Sequence, residues 1–109
     1  MVKKTILNDK PEVLIKKYKQ LLEKEGTPVE KIILFGSYAK GNAKPWSDID
    51  ICVISKKFGR SNYDETVFLK KLTSEIDSML EPHPYHPDDL KNPFDPLASE
   101  IKKTGKVIY

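Results

Sequence analysis

Two short apolar runs of the sequence enclose a polar segment that begins with a Gly-Ser pair and ends with an Asp-Ile-Asp triplet. The first run, KIILF at residues 31–35, is continuous, too short for a helix and followed directly by glycine, which predicts a buried strand. The second, DIDICVI at residues 48–54, alternates and is rich in β-branched residues, which predicts a strand with Asp48 and Asp50 on one face. Two strands therefore have to hold a Gly-Ser turn close to two carboxylates.

Helices are predicted on both sides of these strands. Residues 10–26 place leucines and a tyrosine at helical spacing between a first-turn proline and a glycine, with Asn8 and Asp9 as candidate caps. A second long helix is expected to begin at Ser61, where polar residues precede a new run of apolar positions at helical spacing. A last helix is expected to begin at Asp95, directly before a proline.

The third strand is predicted at SMLE, residues 78–81, and the proline-rich PHPYHP that follows is expected to be irregular. The chain has 109 residues, 39% of them hydrophobic, which is enough for one small core but not for two. We therefore expect one domain spanning residues 1–109 with an α+β fold, in which helices flank a small mixed sheet.

The Gly-Ser turn and the two aspartates have a joint chemical meaning. If Ser37 begins a helix directly after Gly36, the first backbone N–H groups of that helix are unpaired donors that can bind phosphate. Asp48 and Asp50 on one strand face repel each other, by about 4 kcal/mol at a separation near 4 Å and an effective dielectric near 20. Carboxylates shared with nucleotide phosphates are typical Mg²⁺ ligands. The segment thus predicts a phosphate site beside a divalent-metal site.

The pattern Gly36-Ser37 followed by Asp48-Ile49-Asp50 resembles the motif of the DNA polymerase beta-like nucleotidyltransferase superfamily. The short chain is most similar to its minimal nucleotidyltransferase branch, whose members are often encoded beside a HEPN-domain partner. Gly41 and Ser47 match the motif as well. The resemblance implies a nucleotidyltransferase fold, with Gly36 and Ser37 at the nucleotide phosphates, and Lys40 and Ser47 as further nucleotide-binding candidates.

A third carboxylate is also implied by the resemblance, because the superfamily usually completes its metal site from a later strand. The candidates are Glu81 and Asp77. Glu81 is favoured, since it lies at the predicted strand end whereas Asp77 lies in the last turn of the preceding helix. Asp48, Asp50 and Glu81 are therefore the predicted catalytic and metal-binding residues.

The resemblance further implies a reaction and a partner. Two Mg²⁺ ions would assist the transfer of a nucleoside monophosphate, AMP from ATP, to a hydroxyl group with loss of pyrophosphate. The acceptor would be a tyrosine of a HEPN toxin, so that the protein acts as the antitoxin of a toxin–antitoxin pair. The alternative is a non-catalytic antitoxin that masks its partner stoichiometrically. Both homo- and hetero-oligomers are compatible with the sequence.

Composition also gives expectations about surface charge, cellular location and the cysteine and histidine residues. The net charge of +3 comes from basic residues spread through the chain, which predicts a solvated surface and no direct nucleic-acid binding. No signal peptide or membrane-spanning stretch is recognisable, so a cytoplasmic protein without membrane association is expected. Cys52 is expected to be buried, and His83 and His86 to form ordinary surface or loop hydrogen bonds.

Overall fold

A computed structural model describes residues 9–109, which form one four-stranded mixed sheet with helices packed on it. The elements in chain order are α1 (Pro11–Lys24), β1 (Lys31–Phe35), α2 (Ser37–Lys40), β2 (Ile49–Ile54), α3 (Asn62–Thr73), β3 (Leu80–Tyr85), a 3-10 helix (Pro87–Lys91), α4 (Pro96–Thr104) and β4 (Lys106–Val107). The strand order is β3-β2-β1-β4. Strand β1 pairs antiparallel with β2 and β4, and β2 pairs parallel with β3. This arrangement confirms the predicted α+β fold.

The main hydrophobic core lies between one face of the sheet and helices α1 and α3. Tyr18 of α1 and Leu69 of α3 are fully buried against Ile49 and Ile51 of β2. The Tyr18 hydroxyl donates a hydrogen bond of 2.7 Å to the carbonyl oxygen of Leu69, so the one polar atom of this side chain is paired inside the core. Burial of these side chains fixes the face of β2 that carries Ile49 and Ile51.

The opposite face of the sheet is covered by α4. Ala98 and Ile101 of this helix pack on Ile33 of β1 and on Cys52 and Ile54 of β2. Cys52 is fully buried there, which confirms the prediction for it. Since side chains alternate along β2, Asp50 lies on this same face, but it stays partly exposed at the start of the strand.

Strand β3 begins two residues later than predicted, at Leu80, and is longer, so that Glu81 lies near its start and not at its end. The prediction of an irregular segment after residue 81 is wrong, because the strand continues through Pro82 and Pro84 to Tyr85. Prolines are tolerated at an edge where no N–H group is needed. The carbonyl oxygens of Met79 and Tyr85 accept bonds from the N–H groups of Ile49 and Ser55, at the two ends of β2. Backbone groups alternate in direction along a strand, so the even-numbered residues of β3 direct their backbone nitrogen atoms away from β2. Both prolines occupy such positions.

The ends of α1 agree with the prediction in part. The helix begins at Pro11, but its cap position is held by Lys10, which cannot accept a bond with its side chain. Asp9 instead accepts a bond from the adjacent N–H of Lys10, so its predicted capping role is wrong, and Asn8 lies outside the described residues. Gly26, with φ of +89°, terminates the helix as predicted. Among the helices of residues 9–109, none is long and apolar enough to cross a membrane.

Candidate active site

The Gly-Ser turn connects β1 to the single turn of α2. Gly36 has φ of +74° and ψ of −152°, a combination that is essentially restricted to glycine. A Cβ atom built on Gly36 would also overlap the Oδ2 atom of Asp50. Glycine is therefore required here both by the backbone conformation and by the closeness of the carboxylate. The turn and the aspartate form one compact unit.

Contrary to the prediction, the two aspartates do not both lie on the strand, because β2 begins at Ile49 and not at Asp48. Asp48 precedes the strand and is exposed, whereas Asp50 is its second residue and its side chain is 31% exposed. Asp50 pairs with Phe35 of β1 on one side and with Glu81 of β3 on the other. Residues directly opposite each other on neighbouring strands point to the same face. Asp50 and Glu81 therefore share one face of the sheet.

Glu81 and Asp77 differ clearly in their surroundings. Asp77 is 5% exposed, and its Oδ1 atom accepts a bond of 2.8 Å from the N–H of Met79 in the turn before β3. Glu81 is half-buried within β3 and lies in register with Asp50. Asp77 thus stabilises a turn, and Glu81 is the candidate that adjoins Asp50.

The carboxylate of Glu81 is bound by a lysine of α3. Nζ of Lys70 lies 3.1 Å from Oε1 of Glu81 and also donates to the carbonyl oxygens of Ser78 and Leu80, at 3.2 and 2.9 Å. Lysine is flexible and has three donors, which suits it to this position at the edge of the sheet. The ammonium group supplies the positive charge that balances Glu81 beside Asp50.

His83 is a site residue that sequence reasoning missed. It was expected to form ordinary surface or loop hydrogen bonds, but it lies on β3, and its Nε2 atom is 3.8 Å from Oδ1 of Asp50. Its ring contacts that of Phe35 with 5.3 Å between the centroids. The Nε2 atom is buried and has no hydrogen-bond partner within the described part of the chain. The spacing of Glu81 and His83 would have shown their shared face, had the strand been predicted through the prolines.

The other predicted nucleotide-binding residues, Ser37, Lys40 and Ser47, differ in the contacts that their side chains make. Ser37 is the first residue of α2, directly after Gly36. Lys40 forms an ion pair of 2.9 Å with Glu100 of α4, but both side chains are largely exposed, so this pair contributes little. Ser47 closes the loop before Asp48, since its Oγ atom accepts a bond of 2.9 Å from the N–H of Lys44. The structure thus places Ser37 in the turn and gives Ser47 a role within its own loop.

A model of the nucleotidyltransferase domain matches residues 15–106 of the chain. The chain belongs to the nucleotidyltransferase domain family. A Methanocaldococcus jannaschii protein named "Putative protein adenylyltransferase MJ1305" is 33% identical to this nucleotidyltransferase over 109 residues, covering 95% of this chain and 72% of the relative. The crystal structure of a toxin-antitoxin with AMP-PNP superposes with a TM-score of 0.62 at 26% identity, covering 92% of this chain and 73% of that one. A "putative nucleotidyltransferase" from Sulfolobus solfataricus superposes with a TM-score of 0.63 at 18% identity, covering 88% and 77% of the two chains, which supports the fold alone.

The donor atoms of this nucleotidyltransferase suit the metal that was predicted for it. Carboxylate oxygens are the ligands that Mg²⁺ prefers, and Asp48, Asp50 and Glu81 provide them. Within residues 9–109, however, no three acidic, histidine or cysteine side chains stand close enough together to hold a metal ion. Like charges repel each other, so a cation is needed to hold these three carboxylates together. Glu81 pairs with Lys70 instead, and would have to turn from it to join the two aspartates.

Proposed function

We propose that this nucleotidyltransferase transfers AMP from ATP to a hydroxyl group of a partner protein, a tyrosine of a HEPN toxin, and thereby acts as an antitoxin. The observation that carries the proposal is the closeness of the Gly36 turn to the Asp50 carboxylate, which places the turn proposed to bind phosphate beside a side chain proposed to bind metal. The names of the two relatives support the finer assignment, one as a protein adenylyltransferase and the other as a toxin-antitoxin with AMP-PNP.

The carboxylates of Asp48, Asp50 and Glu81 would hold Mg²⁺. When bound, Mg²⁺ supplies the positive charge that neutralises the triphosphate and the charge that develops during transfer. The backbone N–H groups and hydroxyl at Ser37 would bind the β- and γ-phosphates, because the first N–H groups of α2 have no partner within the helix. Each of these roles uses a polar group at the start of β2, α2 or β3.

The reaction is a displacement at the α-phosphorus. The hydroxyl oxygen of the acceptor attacks the α-phosphorus, and a new P–O bond forms as the bond to the oxygen bridging the α- and β-phosphates breaks. The proton of the hydroxyl passes to the Glu81 carboxylate, and pyrophosphate leaves. Glu81 suits this role because it is half-buried beside Asp50 and partly exposed to an incoming acceptor.

The alternative function is that of a binding protein that masks the toxin without modifying it. Nothing in such a role requires a glycine-only turn against a carboxylate, or a glutamate in register with that carboxylate. Two carboxylates near each other destabilise a protein that has no cation to hold. The geometry therefore favours catalysis, although an enzyme of this kind can also bind its partner tightly.

The test uses ATP labelled at the α-phosphate, Mg²⁺ and the protein encoded by the neighbouring gene. We expect label on a tyrosine of the partner, located by mass spectrometry. Asp48→Asn and Asp50→Asn should each lower the transfer rate by about 100-fold or more, the scale of losing a group that organises transition-state charge. The matched control is Asp88→Asn, which removes an equal charge from an exposed position in the 3-10 helix.

Three results would contradict the proposal. Normal transfer by the Asp50→Asn variant would exclude Asp50 as a metal ligand. Inhibition of the toxin with no label transferred would favour the masking function. Label on a residue other than tyrosine would leave the nucleotidyl transfer standing and correct the acceptor.

A further inference from the structure

A cavity of about 320 Å³ runs along β3, between the start of α3, the 3-10 helix and the start of α4. We call it the β3 pocket. Its polar lining is formed by Asn62, Thr66, His83, Asp89, Asn92 and Asp95. His83 connects it to the candidate active site, because the Nε2 atom of this lining residue is 3.8 Å from Oδ1 of Asp50. A group bound in the pocket beside His83 would therefore be separated from Asp50 by this one side chain.

The position of the pocket relative to the phosphate-binding turn suggests what it binds. In transfer of a phosphoryl or nucleotidyl group, the attacking and leaving oxygens lie roughly in line on opposite sides of the phosphorus. The Gly-Ser turn follows β1, Asp50 lies on the central β2, and the pocket runs along β3, so the turn and the pocket lie on opposite sides of Asp50. If pyrophosphate leaves toward the turn, the acceptor has to approach from the side of the β3 pocket.

The charge of the pocket limits the class of acceptor. None of the residues described as lining it is a lysine or an arginine, and two are aspartates. Asp95 is held in place, because its two oxygens accept bonds from the Tyr85 hydroxyl at 2.9 Å and from N–H groups of α4. Asp89 accepts a bond of 2.9 Å from the N–H of His86. Nucleic acids need positive charge opposite their phosphates, which this lining does not supply.

Asp89 and Asp95 give the lining of the pocket a negative potential. A pocket with this potential favours a cationic or neutral hydrogen-bonding ligand.

Exposed apolar side chains flank the pocket. Phe94 lies between two lining residues of the loop before α4, and 90% of its surface is exposed. On α3, Tyr63 and Val67 each follow a lining residue and are 77% and 48% exposed. Aromatic residues are enriched in the buried centre of protein–protein interfaces, so exposed aromatic residues beside a depression favour contact with a polypeptide. The combination fits a protein segment better than a small metabolite.

We infer that the β3 pocket is the acceptor site and receives a polypeptide segment of the partner in which basic residues adjoin the hydroxyl to be modified. This inference rests on the proposed function, and it adds the docking surface and the charge of the acceptor. The segment would contact Phe94 and Tyr63 at the border and place a basic side chain near Asp89. Its hydroxyl group would then lie close to His83 and Asp50.

The first experiment measures binding without catalysis. The full chain labelled with ¹⁵N is titrated with a tyrosine peptide flanked by lysines, with the same peptide flanked by glutamates, and with a short RNA. We expect the lysine peptide to shift the amide signals of Asn62, Thr66 and Asn92 but not that of Gly36. Asp89→Asn should weaken this binding by about threefold, the scale of losing one partly exposed charge pair. The control Asp88→Asn removes a charge one residue away, outside the lining.

The second experiment separates the pocket from the transfer reaction. With the natural partner and labelled ATP, Phe94→Ala should raise the KM for the partner by about tenfold, as for an aromatic anchor, and leave the KM for ATP unchanged. Equal KM values for the partner in the parent, Asp89→Asn and Phe94→Ala proteins would overturn the acceptor site while nucleotidyl transfer stood. Shifts of the pocket signals by RNA and not by the lysine peptide would overturn the acceptor class. Failure to label any acceptor would instead overturn the proposed function, and the acceptor site with it.

Discussion

The Cα atom of Gly36 lies so close to the carboxylate of Asp50 that a Cβ atom there would overlap Oδ2 of the aspartate. The contact joins the residue after β1 to a residue of β2, two strands that pair antiparallel so that Phe35 lies opposite Asp50. The motif therefore acts as one unit, in which the turn that is proposed to bind phosphate also determines where the carboxylate can lie. The first prediction separates this contact from backbone strain.

Gly36→Ala should abolish measurable ATP binding in the presence of Mg²⁺, because the added methyl group displaces Asp50. The matched control is Gly26→Ala, since Gly26 also has a positive φ but has no atoms near the position of a Cβ. Both variants should lose about 1 to 3 kcal/mol of stability, because a positive φ is unfavourable for a residue with a Cβ atom. Calorimetric titration with ATP distinguishes them. Equal ATP affinities in the two variants would show that the contact with Asp50 has no role in binding.

Glu81→Gln and Asp77→Asn should affect different properties, the first the transfer rate and the second the stability. Glu81→Gln should lower the transfer rate strongly and leave the unfolding temperature nearly unchanged, because Glu81 is half-buried and its only described ion pair, with Lys70, is partly exposed. Asp77→Asn should lower the unfolding temperature, since Asp77 is buried and accepts a bond from Met79. Thermal unfolding and the AMP-transfer assay on the same samples decide this. Small losses of activity in both would contradict the three-carboxylate site.

Lys70→Met should increase the affinity for Mn²⁺ or Mg²⁺ in the absence of nucleotide. The lysine competes with the metal for Glu81, and its removal also takes a positive charge away from the site. Lys71→Met is the control, because this neighbouring lysine of α3 is exposed and lies in none of the ion pairs of the described residues. Metal binding followed by calorimetry should show a gain for Lys70→Met only. The gain should become smaller when Glu81→Gln is also present, because only the effect of the removed positive charge then remains.

A weaker metal affinity in Lys70→Met would show that Lys70 orients Glu81 for the metal and does not compete with it. An equal gain in metal affinity in Lys70→Met and Lys71→Met would show that the gain comes from the charge of the surface in general and not from the pair with Glu81.

Glu65 should make the stability depend on acid pH. Burial alone would raise the pKa of this carboxyl group, but bonds from the backbone N–H groups of residues 59–61 outweigh burial and lower its pKa below the ordinary 4.5. A lowered folded-state pKa stabilises the protein above pH 4.5, and this contribution is lost as the pH falls through the folded value. Glu65→Gln should therefore be less stable than the parent at neutral pH.

The difference in free energy of unfolding between Glu65→Gln and the parent should become smaller as the pH falls below 4.5. Urea unfolding at a series of pH values from neutral to acid measures this difference. Glu75→Gln, which changes an exposed glutamate just after α3, is the control and should show no such trend. A constant difference at all pH values would mean that the charge of Glu65 does not stabilise the loop before α3.

Much of the fold is predictable because local signals agree with one another. KIILF is continuous and apolar, and Gly36 directly after it needs a conformation that other residues avoid, so a strand and a sharp turn follow from the residues alone. DIDICVI alternates, and burial of Ile49 and Ile51 against α1 and α3 sends Asp50 to the other face. The motif, the family and the Gly36–Asp50 unit are therefore determined by the sequence by itself.

Tertiary structure decided what no local pattern could show. Proline has no N–H group to donate, so Pro82 and Pro84 argue against a strand that has a neighbour on both sides. Only the position of β3 at the edge of the sheet removes that conflict. That strand brings His83 to Asp50 and Glu81 to Lys70, contacts between segments far apart in sequence. They depend on which strands pair and in which register, and this is set by burial of the whole core and not by the residues of β3.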